Sequence, residues 1–276
     1  MANRIDAKFA ALRAKGKKAF IPYVTAGDPD GNTTADIVLA LEKSGADLVE
    51  LGVPYSDPLA DGPVIQDAFT RVLSRGWRIA DTFAVARRVR ETSQVPLLTM
   101  ASYSLVYRYG PERYVRDALA AGIDGAIVPD LGAVGSASAE ATADKGEAFL
   151  AEAKRRDFKT VLLVAPTTEP AREKEIVGKS TGFVYCISVV GITGAREGLP
   201  PDLAAHVVRL KKLTDKPVCV GFGVSKPEHV KTVAAVADGV IVGSAIVKIV
   251  TQHGADRAKL LAEVSRFASD MTAPLR

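Results

Sequence analysis

The sequence predicts a (β/α)8 TIM barrel, a single domain over residues 1–276 with an extra helix ahead of its first strand. Three observations carry that expectation. Eight short β-branched runs alternate with helical segments. The runs are continuously apolar, as parallel strands covered on both faces are. The 276 residues slightly exceed the roughly 250 that eight such units need. A doubly wound sheet is the runner-up. It uses fewer strands, and its Gly-x-Gly-x-x-Gly loop does not follow the first strand here. No linker-like stretch divides the chain.

The elements follow in order. Ile5–Lys15 places Ile5, Phe9 and Leu12 on one helical face. Ala19–Thr25 reads as the first strand and Thr33–Ser44 as its helix, closed by Gly45. Asp47–Leu51 is the second strand, followed by helices Val64–Ser74 and Ile79–Ser93. Val95–Met100 is the third strand, and its helix Pro111–Ala121 opens on proline and closes on Gly122. Gly125–Val128 is the fourth strand. Leu131–Lys145 is a small-residue loop feeding a helix at Gly146–Arg156. Thr160–Ala165 is the fifth strand, with helix Ala171–Lys179, and Phe183–Ser188 is the sixth. The glycine-bearing loop Val190–Pro201 leads to helix Asp202–Leu213, which Asp202 is placed to cap. Pro217–Val220 and helix Lys226–Ala237 form the seventh unit. Gly239–Val242 is the eighth strand, and helices Ala245–Thr251 and Ala255–Met271 end the chain.

Composition excludes several classes of function. The chain is 47% hydrophobic and 25% charged, with a formal charge of +4. Its densest basic stretches, Lys15–Lys18 and Arg87–Arg90, have no interleaved aromatics and read as solvated helix ends rather than a nucleic-acid footprint. The N-terminus lacks the apolar core of a secretory signal. The longest apolar stretch, Gly239–Val250, is interrupted by Lys248 and falls short of the roughly 20 residues that span a bilayer. Cys186 and Cys219 lie in apolar runs and read as buried thiols in a reducing compartment. His206, His229 and His253 are scattered, without zinc-site spacing. A cytoplasmic protein without a bound metal is expected.

In such a barrel the chemistry lies at the C-terminal ends of the strands. The stretch Asp47–Pro63 is the most informative there. Glu50 sits inside an apolar strand, and Asp57 and Asp61 follow in a proline-rich loop. A buried carboxyl is costly unless it is paired or used. Pairing with a core cation is one reading of Glu50. The other is a catalytic acid/base whose pKa is raised by desolvation. No basic residue stands at the ends of strands one and three, which favours the catalytic reading. Asp61, before Gly-Pro, also suits an ordinary turn. Tyr23, Tyr185, Ser188 and Thr193 add polar groups at or beyond strand ends. Strands seven and eight end in Gly221-Phe222-Gly223 and Gly243-Ser244. Glycines there let backbone N–H groups approach an anion, and a helix opening at Ser244 aims its positive end at it. Gly194 is placed to complete a phosphate cradle. Tight turns would use the same glycines. No strand-end lysine is placed for a Schiff base, so any carbon–carbon cleavage falls to acid–base catalysis.

Taken together, Phe20–Pro29, Glu50–Pro63, Tyr103–Gly110, Phe183–Ala195, Gly221–Ser225 and Gly239–Val247 resemble the tryptophan synthase alpha subunit family across almost the whole chain. The resemblance implies retro-aldol cleavage of indole-3-glycerol phosphate to indole and glyceraldehyde 3-phosphate. It implies that Glu50 shuttles the proton and Asp61 holds the indole N–H. Tyr23 and Tyr185 would flank the indole. Gly194, Gly223, Gly243 and Ser244 would hold the phosphate, and Val190–Pro200 would close as a lid. It implies no cofactor in this chain, pyridoxal phosphate in a beta subunit, and an α2β2 heterotetramer that passes indole on for L-tryptophan synthesis. Ser102-Tyr103-Ser104 and Leu131-Gly132 differ from common family patterns near the partner interface.

Two other functions were weighed. A sugar-phosphate isomerase barrel would want an acid at strand five, which ends here in Val164-Ala165-Pro166. A scaffolding barrel without activity would have no use for Glu50 and Asp61.

Overall fold

The structure is a computed structural model that describes residues 3–58, 61–131, 140–188, 202–221 and 223–276, with backbone alone at 140–145. Its strands are β1 (Ala19–Thr25), β2 (Val49–Gly52), β3 (Leu97–Met100), β4 (Gly125–Ile127), β5 (Lys159–Val161), β6 (Leu163–Val164), β7 (Val184–Ile187), β8 (Val218–Gly221) and β9 (Gly239–Val242). All pair in parallel, in the order β5-β4-β3-β2-β1-β9-β8-β7-β6.

The two ends of that order, β5 and β6, are halves of one segment broken at Leu162. This turns the eight strands expected into nine and brings the sheet round into a barrel. Leu162 donates its N–H to Ser180 Oγ at 3.1 Å. Its carbonyl accepts from Tyr185 N at 3.2 Å. A hydroxyl therefore takes the donor that the ladder would otherwise use, and the break leaves no group unsatisfied.

The helices are α1 (Arg4–Ala14), α2 (Gly31–Lys43), α3 (Pro63–Leu73), α4 (Ile79–Arg90), α5 (Tyr103–Tyr109), α6 (Pro111–Ala120), α7 (Glu140–Arg155), α8 (Pro170–Lys179), α9 (Leu203–Lys211), α10 (Pro227–Ala234), α11 (Ser244–His253) and α12 (Arg257–Thr272). Most match the expected spans within a few residues. Helix α5 was not expected. It is only seven residues long, and its start is fixed by Ser102, whose side chain accepts from Ser104 N. Helix α7 begins six residues ahead of the expected Gly146, which lies inside it. Asp202 stands at the N-cap of α9 but makes no side-chain capping bond, contrary to expectation.

Two cores result. The larger lies between the strands' outer faces and the helices. The smaller fills the barrel and is floored by α1, whose Ile5, Phe9 and Leu12 meet Ile21, Leu48, Leu98 and Phe183. Phe9 packs on Phe183 with ring centroids 5.7 Å apart. Burying each of these three α1 side chains contributes roughly 1.5–3 kcal/mol. The extra helix is thus a plug. It closes the N-terminal end of the barrel and, among the described residues, the C-terminal end stays open.

Candidate active site

The open end forms a cleft of about 490 Å³, its mouth included. Tyr23, Glu50, Asp61, Gly62, Ile65, Met100, Tyr185, Gly223, Val224, Ile241, Gly243 and Ser244 line it.

Glu50 enters from β2, whose register sets it opposite Tyr23 on one side and Leu98 on the other. It is fully buried, and neither carboxyl oxygen has a hydrogen-bond partner. Burial alone pushes its pKa well above the usual carboxylate value, which favours the protonated form.

Asp61 is set by its loop. Its N–H donates to Pro58 O at 3.1 Å. Gln66, in the first turns of α3, donates from Nε2 to Asp61 O at 2.7 Å and to Pro58 O at 3.2 Å. The loop is thus tied by its backbone, and no hydrogen bond is spent on the Asp61 carboxylate among the described residues. Burial pushes that carboxyl up to about 6. Both acids of the cleft therefore hold a proton more tightly than a solvated carboxyl does.

Two phenols frame the acids. Tyr23 leans across β2 onto Gly52, where a Cβ would overlap its hydroxyl. Tyr185 leans in the same way across β8 onto Gly221. Both phenols are raised well above their normal pKa, first by burial and then by the carboxylates they face. Gly221 therefore seats Tyr185 and is buried under it, away from the cleft wall on which the sequence placed it.

On the rim, Gly223 holds a left-handed φ of +77°. Gly243 precedes α11, and Ser244 is its first residue. No side chain caps that helix, so its first N–H groups are open to a ligand. Such an arrangement suits an anion.

Seven residues singled out in the sequence thus meet here: Tyr23, Glu50, Asp61, Tyr185, Gly223, Gly243 and Ser244. Thr193, Gly194, Phe222 and the loop Val190–Pro200 lie outside the described residues. Ser102 and Asp130, also at strand ends, are occupied elsewhere. Asp130 accepts from Ser102 Oγ and Tyr103 N, both at 2.7 Å, and so fixes the start of α5. The sequence reading missed Gly62, Ile65, Met100, Val224 and Ile241. Apolar walls carry no chemical signal; only Met100, the last residue of β3, had a telling position. Among the described residues no cluster of His, Cys, Asp and Glu could hold a metal, and no helix is long and apolar enough to cross a membrane.

The sequence profile of the tryptophan synthase alpha chain matches residues 9–276. The chain belongs to the tryptophan synthase alpha chain family. The alpha chain of Caldanaerobacter subterraneus subsp. tengcongensis is 44% identical over 96% of this chain and 97% of its own. That of Synechocystis is 46% identical over 89% and 90%. The crystal structure of the alpha subunit from Legionella pneumophila superposes with a TM-score of 0.87 at 32% identity, covering 100% of this chain and 99% of that one. As a tryptophan synthase alpha chain the protein is a lyase that cleaves indole-3-glycerol phosphate to indole and glyceraldehyde 3-phosphate. The family needs no cofactor in this chain. Its pyridoxal phosphate belongs to the beta subunit with which the alpha chain partners.

Proposed function

We propose that Glu50 and Asp61 divide the acid–base work of this cleavage within one barrel domain spanning residues 1–276. Protonated Glu50 gives its proton to indole C3, which makes the ring a leaving group. Ionised Asp61 accepts the indole N–H and balances the positive charge that develops there. Glu50, now a carboxylate, takes the proton of the adjacent hydroxyl as the carbon–carbon bond breaks, and returns to its starting state. Two carboxyl groups therefore suffice, with no metal and no Schiff base. Tyr23 and Tyr185 flank the indole. Gly223, Gly243 and Ser244 bind the phosphate, with Thr193, Gly194 and Phe222 supporting that end of the site, while Gly221 seats Tyr185. Val190–Pro200 acts as the lid that excludes water.

The observation that carries this reading is the buried Glu50 carboxyl and the half-buried Asp61 carboxyl, without a cation partner among the described residues, lining one cleft together with an uncapped helix N-terminus. The enzyme works in the cytoplasm as an α2β2 heterotetramer and hands indole to the beta subunit. The test is indole release from indole-3-glycerol phosphate by the purified chain, with and without a beta subunit. Slow release that rises on adding the partner is expected. No release under either condition overturns the reading.

A further inference from the structure

The cleft holds another poorly satisfied polar group. Tyr23 Oη is buried, its side chain lines the cleft, and it makes no well-formed hydrogen bond, with only the Thr25 hydroxyl, likewise unsatisfied, acting on it as a polar neighbour among the described residues. Its position is set by β2, because the ring crosses from β1 and its hydroxyl occupies the space a side chain at Gly52 would fill. Gly52 lies two residues beyond Glu50, on the same inward face of the strand, about 6–7 Å nearer the open end. The phenol hydroxyl and the Glu50 carboxyl thus stand one above the other on a single strand face, and neither has a hydrogen-bond partner of good geometry among the described residues. Burying an O–H without an acceptor is unfavourable. Phenylalanine would pack over Gly52 equally well without that cost, so packing does not explain the hydroxyl.

We propose that Tyr23 is a further catalytic residue, whose O–H donates a hydrogen bond to the substrate oxygen that Glu50 deprotonates. This rests on the roles given above to Glu50 and the cleft. In the step concerned, the proton of the reacting hydroxyl passes to the Glu50 carboxylate. The electron pair of that O–H bond closes the carbonyl of the aldehyde. The pair of the breaking carbon–carbon bond returns to the ring and neutralises its iminium nitrogen. No external reductant or oxidant enters, and Tyr23 keeps its own proton throughout. Its donation strengthens as the oxygen gains negative charge, which is how such a donor lowers a barrier rather than only tightening binding. The phenol is suited to this, since burial and the nearby Asp61 charge keep it protonated.

The test compares the full-length chain with Tyr23→Phe. Three readouts are taken: kcat and KM for indole-3-glycerol phosphate, the melting temperature, and the Kd for indole-3-propyl phosphate. That analogue has the ring and phosphate but no chain hydroxyls. The expected result is a kcat lower by about tenfold or more, an unchanged or higher melting temperature, and an analogue Kd within about twofold of the parent's. A kcat within about twofold of the parent's overturns the proposal. So does a lower melting temperature, or an analogue Kd that rises in step with the lost rate, since each marks a packing role. Glu50→Gln is run alongside. If the unsubstituted chain releases no indole, the underlying reading fails. If it does and Glu50→Gln does not, an unaffected Tyr23→Phe removes Tyr23 alone.

Discussion

Asp47, Asp124 and Asp238 lie at the N-terminal end of the barrel, Glu50 and Asp61 at the C-terminal end, and the two sets live in opposite surroundings. Each lower aspartate sits just ahead of one strand and accepts an N–H from the start of a neighbouring strand. Asp47 takes Phe20 N at 3.0 Å, Asp124 takes Leu97 N at 2.9 Å, and Asp238 takes Val218 N at 3.0 Å. Each also meets lysine or arginine. Asp124 has Arg4 at 2.8 Å and Arg90 at 3.2 Å, and Asp238 has Lys211 at 2.9 Å. Burial still raises Asp47 and Asp124, opposed by these N–H groups and cations, and at Asp238 the Val218 N–H and Lys211 outweigh it and hold the pKa below the normal value. At the other end burial acts unopposed. The same chemical group stabilises the fold where it is paired and stays free to exchange protons where it is not.

The comparison breaks most directly at Glu50. Glu50→Gln is expected to lower indole release by about 10²–10⁴-fold while the melting temperature holds or rises. The sign follows from linkage. Glu50 binds its proton more tightly folded than unfolded, so folding stability falls as pH rises above the ordinary glutamate value of about 4.3 towards the raised folded one. The variant should lose that fall, and melting curves across pH will show it. Parallel destabilisation of variant and parent would place the buried charge elsewhere.

Asp124→Ala should do the reverse. It strands Arg90 and the Leu97 N–H, and breaking a buried pair of this kind costs about 3–5 kcal/mol. Urea unfolding measures it, and kcat per folded molecule should be unchanged.

Gly221→Ala sharpens the comparison within the site. The new methyl displaces the Tyr185 hydroxyl, costing about 1–3 kcal/mol of stability and lowering kcat/KM, while affinity for glyceraldehyde 3-phosphate stays the same. A selective loss of that affinity would return Gly221 to the phosphate cradle.

The smallest effect is on pH. In the proposed mechanism Asp61 acts ionised, and burial pushes its carboxyl up to about 6, so kcat/KM should fall roughly tenfold per unit below that value and level off above it. Asp61→Asn should flatten this limb, and a profile identical to the parent's would remove Asp61 from the rate.

Much of this was readable in the chain. Continuous β-branched runs identify parallel strands because a strand covered on both faces has no reason to alternate. Glu50 was conspicuous because a carboxylate inside such a run needs an explanation. The break at Leu162 was not readable, since it depends on the Ser180 hydroxyl reaching a backbone N–H eighteen residues away. Nor was the task of Gly221, which looks like any glycine at a strand end until the Tyr185 ring is placed over it. The repeat Ala46-Asp47-Leu48, Ile123-Asp124-Gly125 and Ala237-Asp238-Gly239 was present throughout. Its meaning lies in the partner strand, which is distant in sequence.

By itself the sequence determined the barrel and singled out the two acids of the proposed mechanism, because periodicity and residue type are local properties. The tertiary structure decided which carboxyl groups are paired and which are left bare. Desolvation and hydrogen bonding depend on neighbours that only the closed sheet assembles, and with them go the proton affinities on which cleavage depends.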